Sequence, residues 1–365
     1  MHPWTPRTKL YDGAQIRFDN PEVAHAFWTT KRQFFEDHGY LLHTTQSPTP
    51  GPQETSSTQE SSHDVSSRVD ATRKSDGQRV CIKRVGTFSI ELLLLECLHG
   101  GAGKHDPGNH CVPVLDVIRD DERENVSYTV MPALQPVSSA TFKTVGDVVD
   151  FTSQVLLGLN FLHSRTIAHR DCSMHNVMFG LYEYPTSRPQ RKGTFTFNIS
   201  FRDRRITFRR AERPQAQFAN TSSRVRYYFV GLGGLMDCPE TVIECVRGHH
   251  SKDQEPPEYR LYQHNPFILD VFLVGNMLRR EILDKYSNVE FLESLVRDMV
   301  REYPRERKDI KGSLRTWFNI LPTVPSWQRR CTLRHRTRPR IEKSDGTFRS
   351  PLQSNILYPE FNHIM

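Results

Sequence analysis

Thr166-Ile-Ala-His169-Arg170-Asp171-Cys172-Ser173-Met174-His175-Asn176-Val177-Met178 is the stretch on which the reading of this 365-residue chain turns. It has the form H-R-D-x-x-x-x-N, follows a segment with helical spacing and runs into a short apolar strand. In phosphoryl transfer that spacing has a mechanical purpose. The Asp accepts a hydroxyl proton, and the Asn reaches a metal ion on the nucleotide phosphates. Asp171 and Asn176 are therefore the candidate catalytic pair, with Asn176 also the candidate metal ligand. The alternative is a polar turn between a helix and a strand, and the surrounding chain argues against it.

Upstream, Arg68 to Arg73, Ser75-Asp76-Gly77 and Gln78 to Val85 read as strand, tight turn, strand. The second strand contains Val80-Cys81-Ile82-Lys83, the V-x-I-K pattern that places a Lys on nucleotide phosphates. Ser89 to His99 reads as a short Leu-rich helix, and its Glu91 is the expected ion-pair partner of Lys83. Asn109–Val117 and Val126–Pro132 are two further expected strands. Thr144 and Asp147 form a capping box for a helix whose Val148, Val149, Phe151, Val155, Leu156, Leu159 and Leu162 recur at spacings of three and four. Downstream, Asn265-Pro266 starts one helix, Asn288 is expected to cap a second, and Leu314, Trp317 and Phe318 lie on a third.

At the other end, Pro21 to Phe35 reads as one helix with Asn20 as N-cap and Val23, Phe27, Phe34 and Phe35 on its apolar side. Gly39 to Leu42 follows as a short strand. Residues 44–67, rich in Ser, Thr, Gln and Pro, cannot bury enough apolar surface to order themselves and read as a linker.

Composition narrows the class. Apolar residues make up 36% and mean hydropathy is −0.59, low for a chain folded along its whole length. No apolar run approaches the roughly 20 residues of a membrane helix, and the N-terminus has no apolar signal core. Seven scattered cysteines without a C-x-x-C pair indicate neither a disulfide framework nor a zinc site and fit a reduced, intracellular setting, cytoplasmic or nuclear. The charge is uneven. Segments 179–226 and 322–365 carry +8 and +5 of the formal +7, which leaves −6 on the rest. The first contains alternating stretches, Thr194 to Ile199 and Arg205 to Arg209, suited to an extended hairpin. Its aromatics interleave with arginines, a pattern compatible with nucleic-acid binding, although a solvated excursion between two strands is the favoured reading.

Taken together, the chain resembles the eukaryotic protein kinase superfamily from about Val69 to Leu321, and most of all the kinase-like proteins of mushroom-forming fungi. The carrying features are Phe27-Trp28 with Gly39-Tyr40-Leu41, N-H-C-V-P-V-L-D-V at 109–117, V-M-P at 130–132, A-H-R-D-C at 168–172 and the insertion before Tyr227-Tyr228-Phe229. Pro266–Phe272 and Leu295–Met299 add to them. The resemblance implies an α+β, two-lobed fold: an extension over 1–67, a small β-rich lobe over 68–133, a larger helical lobe over 134–321 with the basic insertion 179–226, and a basic disordered tail over 322–365. It implies ATP as cofactor with Mg²⁺, Ser/Thr-type phosphotransfer and a protein substrate or partner. Lys83 and Glu91 would orient phosphates, Cys81 and Met178 would enclose the adenine, and Met131 would be the gatekeeper of a hinge running through Ala133 to Leu134. Asp270 would anchor the catalytic loop, Glu258 would pair with Arg307, and Leu95, His169 and Leu232 would stack between the lobes.

Three departures bear on activity. Gly231-Leu232-Gly233 stands where the family has D-F-G, so the metal-holding Asp is absent. No G-x-G-x-x-G precedes Val69, and Ser173 replaces the Lys that contacts the transferred phosphate. The resulting expectation is impaired phosphotransfer. The alternatives are a pseudokinase scaffold, or a basic interaction protein that binds nucleic acid or acidic partners.

Overall fold

The structure, a computed structural model, describes residues 21–44, 67–99, 103, 106–137, 141–180, 196–201, 204–209, 225–232, 236–237, 253, 255–260, 264–337, 341–342 and 348–349. Asn20 and residues 45–66 of the expected linker lie outside these residues. The chain falls into two compact units, Met1–Phe179 with Tyr227–Met365, and Gly180–Arg226. The architecture is mixed α and β, built on antiparallel sheet and several helices. Among the described residues no helix is long and apolar enough to cross a membrane.

The larger unit begins with α1 (Pro21–Thr30) and α2 (Arg32–Asp37). Its first sheet contains β1 (Tyr40–Leu42), β2 (Arg68–Arg73), β3 (Arg79–Gly86), β4 (Asp116–Arg119) and β5 (Val126–Pro132), in the order β1-β2-β3-β5-β4 with every neighbour antiparallel. Period-two alternation splits β3 between two faces. Val80 and Ile82 join Tyr128 and Val130 against Ala24, Trp28, Phe35 and Tyr40 of the leader. Cys81 stands opposite Met131, and Lys83 opposite Thr129, on the other face. Because the leader covers one face, β5 is buried at all seven positions. Between β3 and β4 the chain forms α3 (Ile90–His99).

Two expectations for the leader change. The helix is broken at Lys31, and the buried positions are Ala24, Trp28 and Phe35, with Val23 48% exposed. The segment also supplies an edge strand and part of the core instead of standing outside the fold as an extension. Lys31 explains its attachment. The ammonium is buried against Asp120 at 3.2 Å and reaches the exposed Glu122 at 2.8 Å, while Asp120 accepts the Tyr128 hydroxyl at 2.5 Å.

The helical part is organised around α4 (Val145–His163), started by the Thr144–Asp147 capping box. Its apolar side packs with α5 (Pro266–Leu278), α6 (Glu293–Met299) and α7 (Ile310–Ile320) around Phe151, Leu156, Leu273, Leu295 and the fully buried Trp317. Asn265 caps α5 as expected, accepting from the Phe267 and Ile268 amides. Asn288 does not cap α6. Its side chain instead bonds Thr332 and Arg334, because the start of the tail folds back here. Val324 and Leu333 are buried, Thr332 bridges Thr144, and His335 bridges Tyr286, so residues 322–337 are packed structure where a disordered tail was expected. The strand expected over 109–117 shrinks to Asp116–Arg119 at its far end. The backbone of His110 to Val112 is used instead by Phe229, which donates to the His110 carbonyl at 2.6 Å and accepts from the Val112 amide at 2.9 Å.

In the smaller unit, Thr196–Phe201 and Arg204–Arg209 pair antiparallel with Phe201 opposite Arg204, the hairpin expected from their alternation.

Candidate functional site

The H-R-D-x-x-x-x-N stretch forms a tight loop after the two-residue strand Ile167–Ala168, with Thr166 (φ +62°) and Arg170 (φ +68°) in the left-handed region. That conformation is costly for residues bearing a side chain and requires external support. Asp270, wholly buried on α5, supplies it. Its carboxylate accepts the His169 amide at 2.8 Å, the Arg170 amide at 2.6 Å and His163 Nε2 at 2.9 Å. The expected anchoring role of Asp270 thus has its geometry, and His163, which no sequence signal marked, completes it.

His169 links this loop to the segment that follows the strand Arg226–Phe229. Its Nε2 donates to the Val230 carbonyl at 3.1 Å and its Nδ1 accepts the Asp171 amide at 3.3 Å, which fixes a neutral ring protonated on Nε2. Burial pushes the imidazole pKa down, against the opposing pull of Asp270 and Asp171, and agrees with that tautomer.

Asp171 and Asn176 meet directly. Asn176 Nδ2 donates to the Asp171 carbonyl at 3.0 Å and to its Oδ2 at 2.7 Å. The same turn is closed by the Ser173 amide on the Asp171 carbonyl and the Asn176 amide on the Ser173 carbonyl. Asp171 Oδ1 and Ser173 Oγ are buried without a hydrogen-bond partner, two orphan polar atoms in one short loop. Gly231 follows Val230, whose amide donates to the Asn176 carbonyl at 2.8 Å, and has φ +72°. A Cβ on Gly231 would collide with Asn176 Oδ1 and lie 2.6 Å from its Cγ.

The second group sits on the sheet. Lys83 Nζ contacts Glu91 Oε1 at 2.6 Å, with both side chains mostly buried, so the ion pair expected between β3 and α3 is present. Met131 and Met178 enter one apolar cluster with Leu95 from the helix of Glu91 and with Val230 and Leu232 on either side of Gly231. Cys81 stands opposite Met131, while the Ala133 amide donates to the Arg79 carbonyl at 3.3 Å. This cluster draws Leu95 from the helix of Glu91 and packs against Met178, two residues after Asn176.

Glu258 and Arg307, both almost fully buried, form the expected ion pair, and Arg307 further donates to the Ile268 and Arg301 carbonyls and lies over the Phe272 ring. Asp237 pairs through its backbone with Ile167.

The donors fit magnesium poorly. Magnesium takes near-octahedral oxygen ligands. Gly231 brings none, Asn176 offers only its Oδ1, and among the described residues no group of three His, Cys, Asp or Glu could hold a metal ion. No protein-family model matches the chain and no curated protein matches it, so the functional reading rests on these residues and their geometry.

Proposed function

We propose that this chain is a kinase-like, two-lobed protein that holds an adenine nucleotide between its sheet and its helical part, and that its phosphotransfer is impaired. The observation that carries this reading is the Lys83–Glu91 pair at 2.6 Å, on the same sheet face as Cys81 and Met131, with an apolar cluster that includes Met131 packing against Met178, two residues after Asn176. A Lys held by a buried Glu is aimed, with its flexible stem restrained, at the phosphates of a nucleotide lying against that face. Bound ATP would supply the transferable phosphoryl group. Of the chain's own residues, Lys83 would neutralise phosphate charge, Met131 and Met178 would exclude water from the base, and the unpaired Oδ1 of Asp171 would accept a hydroxyl proton. The absence of a carboxylate at Gly231 supports a protein that binds more readily than it catalyses, a pseudokinase in the sense of the resemblance.

The test is ATP binding to the purified protein by titration calorimetry, with Mg²⁺ and with EDTA, for the native protein and Lys83→Ala. Loss of a charge-assisted contact worth about 1.5–3 kcal/mol predicts binding weaker by at least about tenfold in the variant. Undiminished binding in Lys83→Ala, or no binding by the native protein in either buffer, would refute the reading.

A further inference from the structure

Across β2, β3 and β5 one row of the sheet runs Arg68, Lys83, Thr129. Val69 and Ala71 of β2 pack into the cluster formed with the leader, so alternation turns Arg68 and Asp70 to the other face, beside Lys83 and Cys81. The Arg84 amide donates to the Ser67 carbonyl at 3.0 Å, and the Arg73 amide to the Gln78 carbonyl at 2.9 Å. Those contacts fix the phase of the ladder. They make Arg68 and Lys83 a non-hydrogen-bonded pair, the kind in which opposite side chains stand closest. Like charges at such a position repel. Glu91 contacts Lys83 from α3, and Asp70, the acid two residues along β2 on this face, is met by Arg79 at 3.3 Å. Two cations therefore begin side by side on the face where the nucleotide is proposed to lie.

We infer that Arg68 is a second phosphate-binding cation, and that with Lys83 it forms a site for a chain of phosphates. The inference rests on the proposed nucleotide site and adds to it a residue and the part of the ligand that residue holds. The sequence before Val69 has no G-x-G-x-x-G, the motif whose loop covers the phosphates in protein kinases. Arg68 opens the strand that such a loop would lead into. Its guanidinium offers phosphate two parallel N–H donors, whereas the Lys83 ammonium is a point charge. A polyanion lying across both turns their repulsion into shared attraction.

The test is titration calorimetry in EDTA, with inorganic tripolyphosphate, ATP and adenosine added to native protein, Arg68→Gln, Lys83→Met and Arg305→Gln. Arg305, exposed on the helical part, controls for the loss of one positive charge. Loss of a charge-assisted contact should weaken tripolyphosphate and ATP by about tenfold or more in Arg68→Gln. Adenosine should bind Arg68→Gln and the native protein alike, and Arg305→Gln should match the native protein throughout. Unchanged tripolyphosphate affinity in Arg68→Gln, an equal loss in Arg305→Gln, or a loss for adenosine as large as for ATP would overturn the inference. If Lys83→Met alone then weakened ATP, the nucleotide reading would still stand. Tripolyphosphate binding that depends on Arg68, with no binding of ATP, would refute the nucleotide reading and uphold the cation pair. No binding of tripolyphosphate by the native protein would overturn the inference. Should Arg68→Gln fail to fold, phenylglyoxal modification of the native protein decides. Tripolyphosphate should shield Arg68 and not Arg305, and equal modification of Arg68 with and without it would overturn the inference.

Discussion

Replacing Lys31 by Met should destabilise the protein strongly, because the ammonium it removes is buried against Asp120. The perturbation removes one charge and keeps most of the side chain's apolar stem. Asp120 is then left as a wholly buried carboxylate whose remaining partners are the Tyr128 hydroxyl at 2.5 Å and the Glu122 amide at 3.0 Å. Breaking a buried ion pair costs about 3–5 kcal/mol, and the two surviving bonds place this case at the lower end, near 3. The arm to Glu122, which is 78% exposed, adds no more than about 1 kcal/mol. A total of about 3–4 kcal/mol corresponds to a urea midpoint lower by roughly 1 M at a slope of about 3 kcal/mol/M.

The pH dependence gives a second handle on the same pair. Burial pushes the Asp120 carboxyl up, but the Tyr128 hydroxyl, the Glu122 amide and Lys31 together outweigh it and hold the group below the usual carboxylate range. A depressed folded pKa means that the stabilisation is complete above the unfolded value, about 3.9, and is lost as pH falls through the lower folded value. Lys31 is shifted the other way. Burial lowers it, the two carboxylates more than compensate, and it stays charged beyond its ordinary pKa. The difference between native and Lys31→Met protein should therefore be constant from about pH 5 to pH 9 and shrink below about pH 4. Urea unfolding across that range is the assay. A loss under about 1 kcal/mol at neutral pH, or an equal loss in the Asp120→Asn background, would refute the reasoning.

Three further outcomes follow from the packing. Trp28→Ala, which empties a site 3% exposed between Phe35 and Tyr128, should cost about 3–5 kcal/mol in denaturant unfolding. Arg307→Ala leaves Glu258 buried and unpaired and should cost about 3–5 kcal/mol, and the loss should be smaller when Glu258→Gln is already in place. Asp270→Ala removes the acceptor of the His169 and Arg170 amides, each such buried donor costing about 1–3 kcal/mol, and hydrogen exchange at those two amides should quicken far more than along α4.

Much of the fold was legible because it rests on short-range rules. The Thr144–Asp147 capping box and the three-four spacing of Val148 to Leu162 define α4, as the alternation around Val80-Cys81-Ile82-Lys83 defines β3. Both signals act within one or two turns or pairs of residues, where backbone geometry alone decides which side chains share a face. The Lys83–Glu91 and Glu258–Arg307 pairs were expected from the resemblance and not from local spacing alone, and both are present.

The misreadings concern residues whose partners are remote in the chain. Spacing put Val23 on the inner face of the leader, but the break at Lys31 and the covering of Ile82, Tyr128 and Val130 bury Ala24, Trp28 and Phe35. Asn288 has the chemistry of an N-cap, yet the folded-back chain at Thr332 and Arg334 offered it better partners. The basic composition of the tail gave no sign that Leu333 would be buried.

The sequence by itself determined most of the elements, their order and the residue types of the candidate site, including the glycine where a carboxylate was expected, because these depend on identity and on local spacing. Only the tertiary structure decided that the leader closes the sheet through Lys31 and Asp120, that the tail begins as packed chain, and that Asn176 occupies the space over Gly231. Those outcomes are set by which groups meet across long stretches of chain and by what each must bury or pair when water is excluded.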